Sequence, residues 1–110
     1  MNWVRIFSSV GEMEAALALN RPRLLIAEGK RICLVRTPDR VLAVEDTCSH
    51  NGESLSKGQV NYLGEVVCPW HGHRFSLITG RESGERSPDL EVFPVRVDDD
   101  GVHVGLDRKA

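Results

Sequence analysis

At 110 residues, 41% hydrophobic and 27% charged, with a formal net charge of -2, the chain is long enough for one buried core, too short for a second catalytic module and too apolar for disorder. It has no basic run or stripe interleaved with aromatics, and its densest charge cluster, Asp98-Asp99-Asp100, is acidic and reads as a solvated turn, which argues against a nucleic-acid partner. No apolar stretch approaches the roughly 20 residues of a membrane span, and the start Met1-Asn2-Trp3-Val4-Arg5 lacks the basic and apolar regions of a secretory signal, so a cytoplasmic protein without a membrane anchor is expected.

In chain order, the run Glu12-Met13-Glu14-Ala15-Ala16-Leu17-Ala18-Leu19 is built of good helix formers and predicts a short surface helix between Gly11 and Leu19. Three apolar runs follow, from Leu24 to Glu28, Ile32 to Arg36 and Val41 to Glu45, punctuated by Gly29-Lys30 and Pro38-Asp39-Arg40. They predict one antiparallel meander. Cys33 lies inside the second run with no potential ligand at a useful spacing and reads as a small buried hydrophobe. The stretch from about Thr47 to Gly80 changes texture: glycines recur at 52, 58, 64, 72 and 80 and histidines at 50, 71 and 73, as in loops carried on very short strands, where functional residues are commonly placed. Near the end, Phe93, Val95 and Val97 alternate with other residues, as do Val102, Val104 and Leu106 after Asp99-Asp100-Gly101, which predicts a β-hairpin.

The cysteine count is odd, three in all, which in a reducing compartment argues against a disulfide framework and leaves metal binding or buried thiols. Two of them stand in the loop-rich stretch as Cys48-Ser49-His50 and Cys68-Pro69-Trp70-His71, with 17 residues between His50 and Cys68. Each loop offers one thiolate and one imidazole. Zinc sites with two Cys and two His more often pair the cysteines on one turn and the histidines on another, so the mixed order disfavours zinc without removing it. A third reading, core cysteines beside satisfied histidines, has to account for two Cys-His pairs in Gly-rich loops.

The pattern C-x-H, a gap of 17, then C-x-x-H resembles the Rieske family. The likeness extends through Val41-Leu42-Ala43-Val44-Glu45-Asp46-Thr47 before the first loop, Gly72 after the second and Phe93-Pro94-Val95 near the end. The resemblance implies an all-β, Rieske-like fold: residues 1–110 as a single domain, an antiparallel β-sheet base carrying a small cluster-binding subdomain of about residues 46–81. It also implies one [2Fe-2S] cluster, with Cys48 and Cys68 on one iron and His50 and His71, facing solvent, on the other. Two ferric ions, two sulfides, two thiolates and two neutral imidazoles make a neutral oxidised site, whereas four thiolates would leave it doubly negative. The mixed set therefore raises the reduction potential into a window of roughly -150 to +300 mV.

Departures from the respiratory members narrow the class. Those proteins carry an extra Cys in each loop, joined as a disulfide, where this chain has Glu53 and Trp70; they also carry Ser and Tyr hydroxyls near the cluster, where it has His73 and Phe75. It is similar instead to the low-potential ferredoxins of ring-hydroxylating oxygenase systems, which implies a one-electron carrier, not itself an enzyme, working between a reductase and a terminal oxygenase. The alternative is the small Rieske-like subunit of an assimilatory nitrite reductase, and a zinc-stapled interaction module ranks below it. His73 is expected at the surface or beside the ligands, not as a ligand. Trp70 is expected to cover the cluster or form an apolar docking rim, and Ser87-Pro88-Asp89 resembles the family's proline-containing shielding loop.

Overall fold

A computed structural model describes residues 2–49, 52–70 and 72–106. The described chain contains β1 (Asn2–Phe7), α1 (Val10–Ala16), β2 (Arg23–Ala27), β3 (Lys30–Arg36), β4 (Val41–Glu45), a 3-10 turn (Leu55–Lys57), β5 (Gln59–Val60), β6 (Glu65–Val67), β7 (Arg74–Ser76), β8 (Val92–Phe93), β9 (Val95–Asp98) and β10 (Gly101–Leu106). Three antiparallel sheets result, ordered β1-β10-β9, β2-β3-β4-β8 and β5-β6-β7.

The middle sheet organises the molecule because β3 and β4 are buried on both faces. Side chains alternate sides along a strand, so Ile32 and Leu34 join Ala43, Phe93, Val102 and Val104 in one core, while Cys33 and Val35 join Val44, Val66, Phe75 and Leu77 in another. The first core is shared with the β1-β10-β9 sheet, and the second lies towards the small β5-β6-β7 sheet. This two-sided burial is why the β3 segment reads as an unbroken apolar run. The expected meander is present, with the register Leu24 opposite Cys33 and Cys33 opposite Val44.

The helix is shorter than expected. Ser9 caps its start by accepting the Glu12 N–H at 3.1 Å, and the Glu12 carboxylate reaches back to the Ser8 N–H and hydroxyl, a local exchange that satisfies exposed first-turn donors. Those bonds from Ser8 hold the Glu12 carboxyl below its ordinary range. The helix stops at Ala16, and Leu17 turns into extended backbone and drops into the first core. Guanidinium groups take over the terminal carbonyls: Arg23 Nη1 donates to Ala16 at 2.6 Å and Arg36 Nη1 to Leu17 at 3.1 Å.

The terminal hairpin is present as β9 and β10, but Phe93 is not part of it. Phe93 pairs with Ala43 in the middle sheet, and Pro94, which has no N–H to give a ladder, lies where the chain crosses to the other sheet. Strand β1, which the sequence reading did not foresee, pairs along β10 with an irregularity between Arg5 and Phe7.

Candidate metal centre

The two cysteine loops are built alike. In the first, the Cys48 N–H donates to the Glu53 carbonyl at 2.8 Å; in the second, the Cys68 N–H donates to the His73 carbonyl at 2.8 Å. A glycine follows each cysteine at the same interval, and both take the left-handed conformation, Gly52 at φ 78° and Gly72 at φ 70°. A side chain there would be strained, so the repeated Cys-x-x-x-Gly spacing has a backbone cause.

Each loop stands on a paired base. The first leaves β4, is pinned by the Thr47–Ser54 bridge and rests on Asp46, whose side chain is fully buried. The Asp46 carboxylate accepts the Ser56 N–H at 2.7 Å and the Ser54 hydroxyl, with Arg31 Nη2 at 3.5 Å. The second loop joins β6 to β7, which pair as Glu65–Ser76, Val66–Phe75 and Val67–Arg74. A third segment ties across: the Ser49 hydroxyl donates to the Pro88 carbonyl at 2.6 Å. The Ser87-Pro88-Asp89 segment thus lies against the first cysteine loop, as its resemblance to a shielding loop implies.

Cys48 and Cys68 are not in a disulfide, are each 1% exposed, and belong to one buried cluster with Val66, Phe75 and Leu90. Residues twenty apart in sequence thus bring two thiols to one core from matched loops. Two such loops, each also carrying a histidine in the sequence, form a donor set that fits a two-iron cluster. His50 and His71 lie outside the described residues, as does their expected exposure. Among the described residues alone, no group of three His, Cys, Asp or Glu is close enough to hold a metal ion.

The remaining candidates separate cleanly. Cys33 is fully buried, and burial first, then the nearby Asp46 charge, pushes its thiol up to about 12; it stays protonated at neutral pH and behaves as a hydrophobe. Trp70 is 57% exposed, which matches a docking rim rather than a core role. The surface alternative for His73 is corrected: the residue is buried, with Nδ1 3.8 Å from Glu82 Oε1 and 3.5 Å from the Ser87 hydroxyl. Phe75 is fully buried at the position where the family resemblance places a hydroxyl in the respiratory members. Glu82 was not foreseen as part of the site, since no local motif announces it, and the hydrogen bonds of Ser49 and Ser87 were not foreseen either.

The family model described as the Rieske [2Fe-2S] domain matches residues 9–94. The chain belongs to the Rieske [2Fe-2S] domain family. Its relatives include Ferredoxin CarAc of Metapseudomonas resinovorans, 38% identical over 71% of this chain and 73% of that protein. The anthranilate 1,2-dioxygenase ferredoxin subunit of Burkholderia cepacia is 32% identical over 79% of this chain and 81% of its own. Among solved structures, a chain from the complex of reduced oxygenase and oxidized ferredoxin in carbazole 1,9a-dioxygenase superposes with a TM-score of 0.80 at 27% identity, covering 98% of this Rieske chain and 96% of that one. The all-β Rieske fold expected from the two motifs is the fold observed.

Proposed function

We propose that this Rieske protein is a one-electron carrier that receives electrons from a reductase and delivers them to a terminal oxygenase, with Cys48, His50, Cys68 and His71 as the ligands of its single [2Fe-2S] cluster. The reading rests above all on two buried cysteines brought into one cluster by matched loops within a chain of this family. When bound, the cluster accepts and releases one electron at a potential within roughly -150 to +300 mV. The chain supplies the rest: Cys48 and Cys68 would present thiolates from the protein interior, and the backbone bonds at Glu53 and His73 hold the two loops in shape. Trp70, exposed between Cys68 and His71 in the sequence, would offer an apolar contact to a redox partner.

Residues 46–81 are the proposed cluster-binding subdomain of a single domain spanning 1–110. Relatives at 38% and 32% identity are named as ferredoxins, one of them a dioxygenase subunit, which favours the oxygenase-linked reading over a nitrite reductase subunit and makes the chain an electron-transfer component instead of an enzyme. The proposed location is the cytoplasm; among the described residues no helix is long and apolar enough to cross a membrane.

The test is an iron and acid-labile sulfide assay with electron paramagnetic resonance of the reduced protein, on wild type and on Cys48→Ala, Cys68→Ala and Cys33→Ala. Wild type and Cys33→Ala are expected to show the same Rieske signature, and the other two to lose it. A zinc-bound, colourless wild type, or a cluster that survives Cys68→Ala and disappears in Cys33→Ala, would refute the assignment.

A further inference from the structure

Glu82 is a fully buried carboxylate outside both cysteine loops, and its hydrogen bonds all serve one short segment. Oε2 accepts the Gly84 N–H at 2.5 Å, and Oε1 accepts the Arg86 N–H at 3.0 Å and Arg86 Nε at 3.1 Å. A carboxylate gripping two backbone donors and a guanidinium closes residues 82–86 into a compact turn, with charge-assisted bonds stronger than neutral ones. The turn is anchored at its start by the Phe75–Glu82 bridge and the Ser83 N–H donating to Arg74 at 2.8 Å. From it, the chain runs straight to the cysteine loops. Ser87 reaches His73, whose carbonyl holds Cys68, and Pro88 accepts from Ser49, the neighbour of Cys48. Leu90 then enters the buried cluster that contains both cysteines.

We propose that Glu82 is a positioning residue for the cluster: its buried carboxylate shapes the 82–90 segment into a latch that Ser87 and Ser49 fasten to the second and first cysteine loops. This rests on the reading that those loops hold a [2Fe-2S] cluster. One anchor inside the segment and one tie to each loop hold the two loops at a constant separation and limit the access of water and small solutes to what lies between them. Releasing the anchor loosens both ties at once, whereas removing one serine releases one side only.

The experiment compares holo wild type with Glu82→Gln, Ser49→Ala and Ser87→Ala by the rate of iron release to a chelator, the g-values of the reduced protein and the midpoint potential. Glu82→Gln is expected to speed iron release about tenfold or more, the scale of a lost charge-assisted bond, and to broaden or shift the g-values, with each serine variant showing a smaller change of the same kind. The half-buried Ser49→Ala carries the test independently of whether Glu82→Gln folds: release at the wild-type rate with unchanged g-values in Ser49→Ala and Ser87→Ala would overturn the latch. A Glu82→Gln protein that melts earlier yet keeps wild-type release rate, g-values and potential would reduce Glu82 to a general structural role and overturn the proposal. A wild type without iron and sulfide after reconstitution would overturn the cluster reading, and this inference with it.

Discussion

Asp46 accepts the backbone N–H of Ser56 at 2.7 Å from a position with no exposed surface, two residues ahead of Cys48. The same carboxylate takes the Ser54 hydroxyl, so one buried side chain closes the base of the first cysteine loop. Replacing it by Ala leaves these donors without their acceptor, at a cost of roughly 1–3 kcal/mol. Asp46→Asn, which keeps an oxygen acceptor, should cost less. Denaturant unfolding of the holoproteins should rank wild type above Asn above Ala, and iron content should follow the same order; equal stability of the Ala variant and wild type would refute the role.

Gly58 separates the 3-10 turn from β5 and runs so close to β6 that an added Cβ would lie 1.9 Å from the Val67 carbonyl oxygen. Val67 directly precedes Cys68, so Gly58→Ala must displace the strand that presents the second thiol. We expect a stability loss at the upper end of the roughly 1–3 kcal/mol typical of overpacking, with reduced cluster occupancy. Gly64→Ala meets nothing within 4 Å and bears only the strain of its left-handed backbone, so it should retain its cluster. Thermal melts and iron analysis of the two variants check the contrast.

Bonds from Arg86, and then from the backbone of Gly84 and Arg86, hold the Glu82 carboxyl down at about 2 against the opposing effect of desolvation. A carboxylate with a lowered folded pKa contributes stability that is present above its unfolded pKa, about 4.3, and is lost as pH falls towards the folded value. Wild type should therefore lose stability relative to Glu82→Gln between roughly pH 4.5 and 2. Denaturation of the two proteins across this range measures the difference; a constant gap would show that Glu82 is not held ionised.

Phe75 is fully buried in the cluster of residues that includes Cys48 and Cys68. Family resemblance places a Tyr hydroxyl there in high-potential members. A donor near a ligand sulfur that becomes more negative on reduction favours the reduced state, so Phe75→Tyr should raise the midpoint potential by at most about 60 mV, a tenfold change for one electron. Wild type itself should lie towards the low end of the Rieske range, nearer roughly -150 than +300 mV. Film voltammetry at one pH tests both points: a wild-type value above roughly +100 mV refutes the low-potential assignment, and an unchanged potential in an intact variant refutes the hydroxyl argument.

The parts of this protein that are local in sequence were legible from the sequence alone. The meander from residue 24 to 45, the β9–β10 hairpin and the burial of Cys33 each depend on side-chain alternation and turn residues within a few positions. The candidate ligand motifs stood out because each short loop carries both a cysteine and a histidine, and the fold brings Cys48 and Cys68 into one buried cluster. The termination of α1 at Ala16 and the assignment of Phe93 to the middle sheet were decided elsewhere in the fold, by Arg23, Arg36 and Ala43. The burial of His73 and the network of Glu82, Ser87, Ser49 and Pro88 also belong to tertiary structure. Ser49 and Pro88 are 39 positions apart and His73 and Ser87 14 apart, and only the packing of one loop over two others makes them neighbours. A single carboxylate in a sequence carries no mark of whether water or protein donors surround it, and that difference, set by the folded environment, separates Glu82 from the solvated acids of Asp98–Asp100.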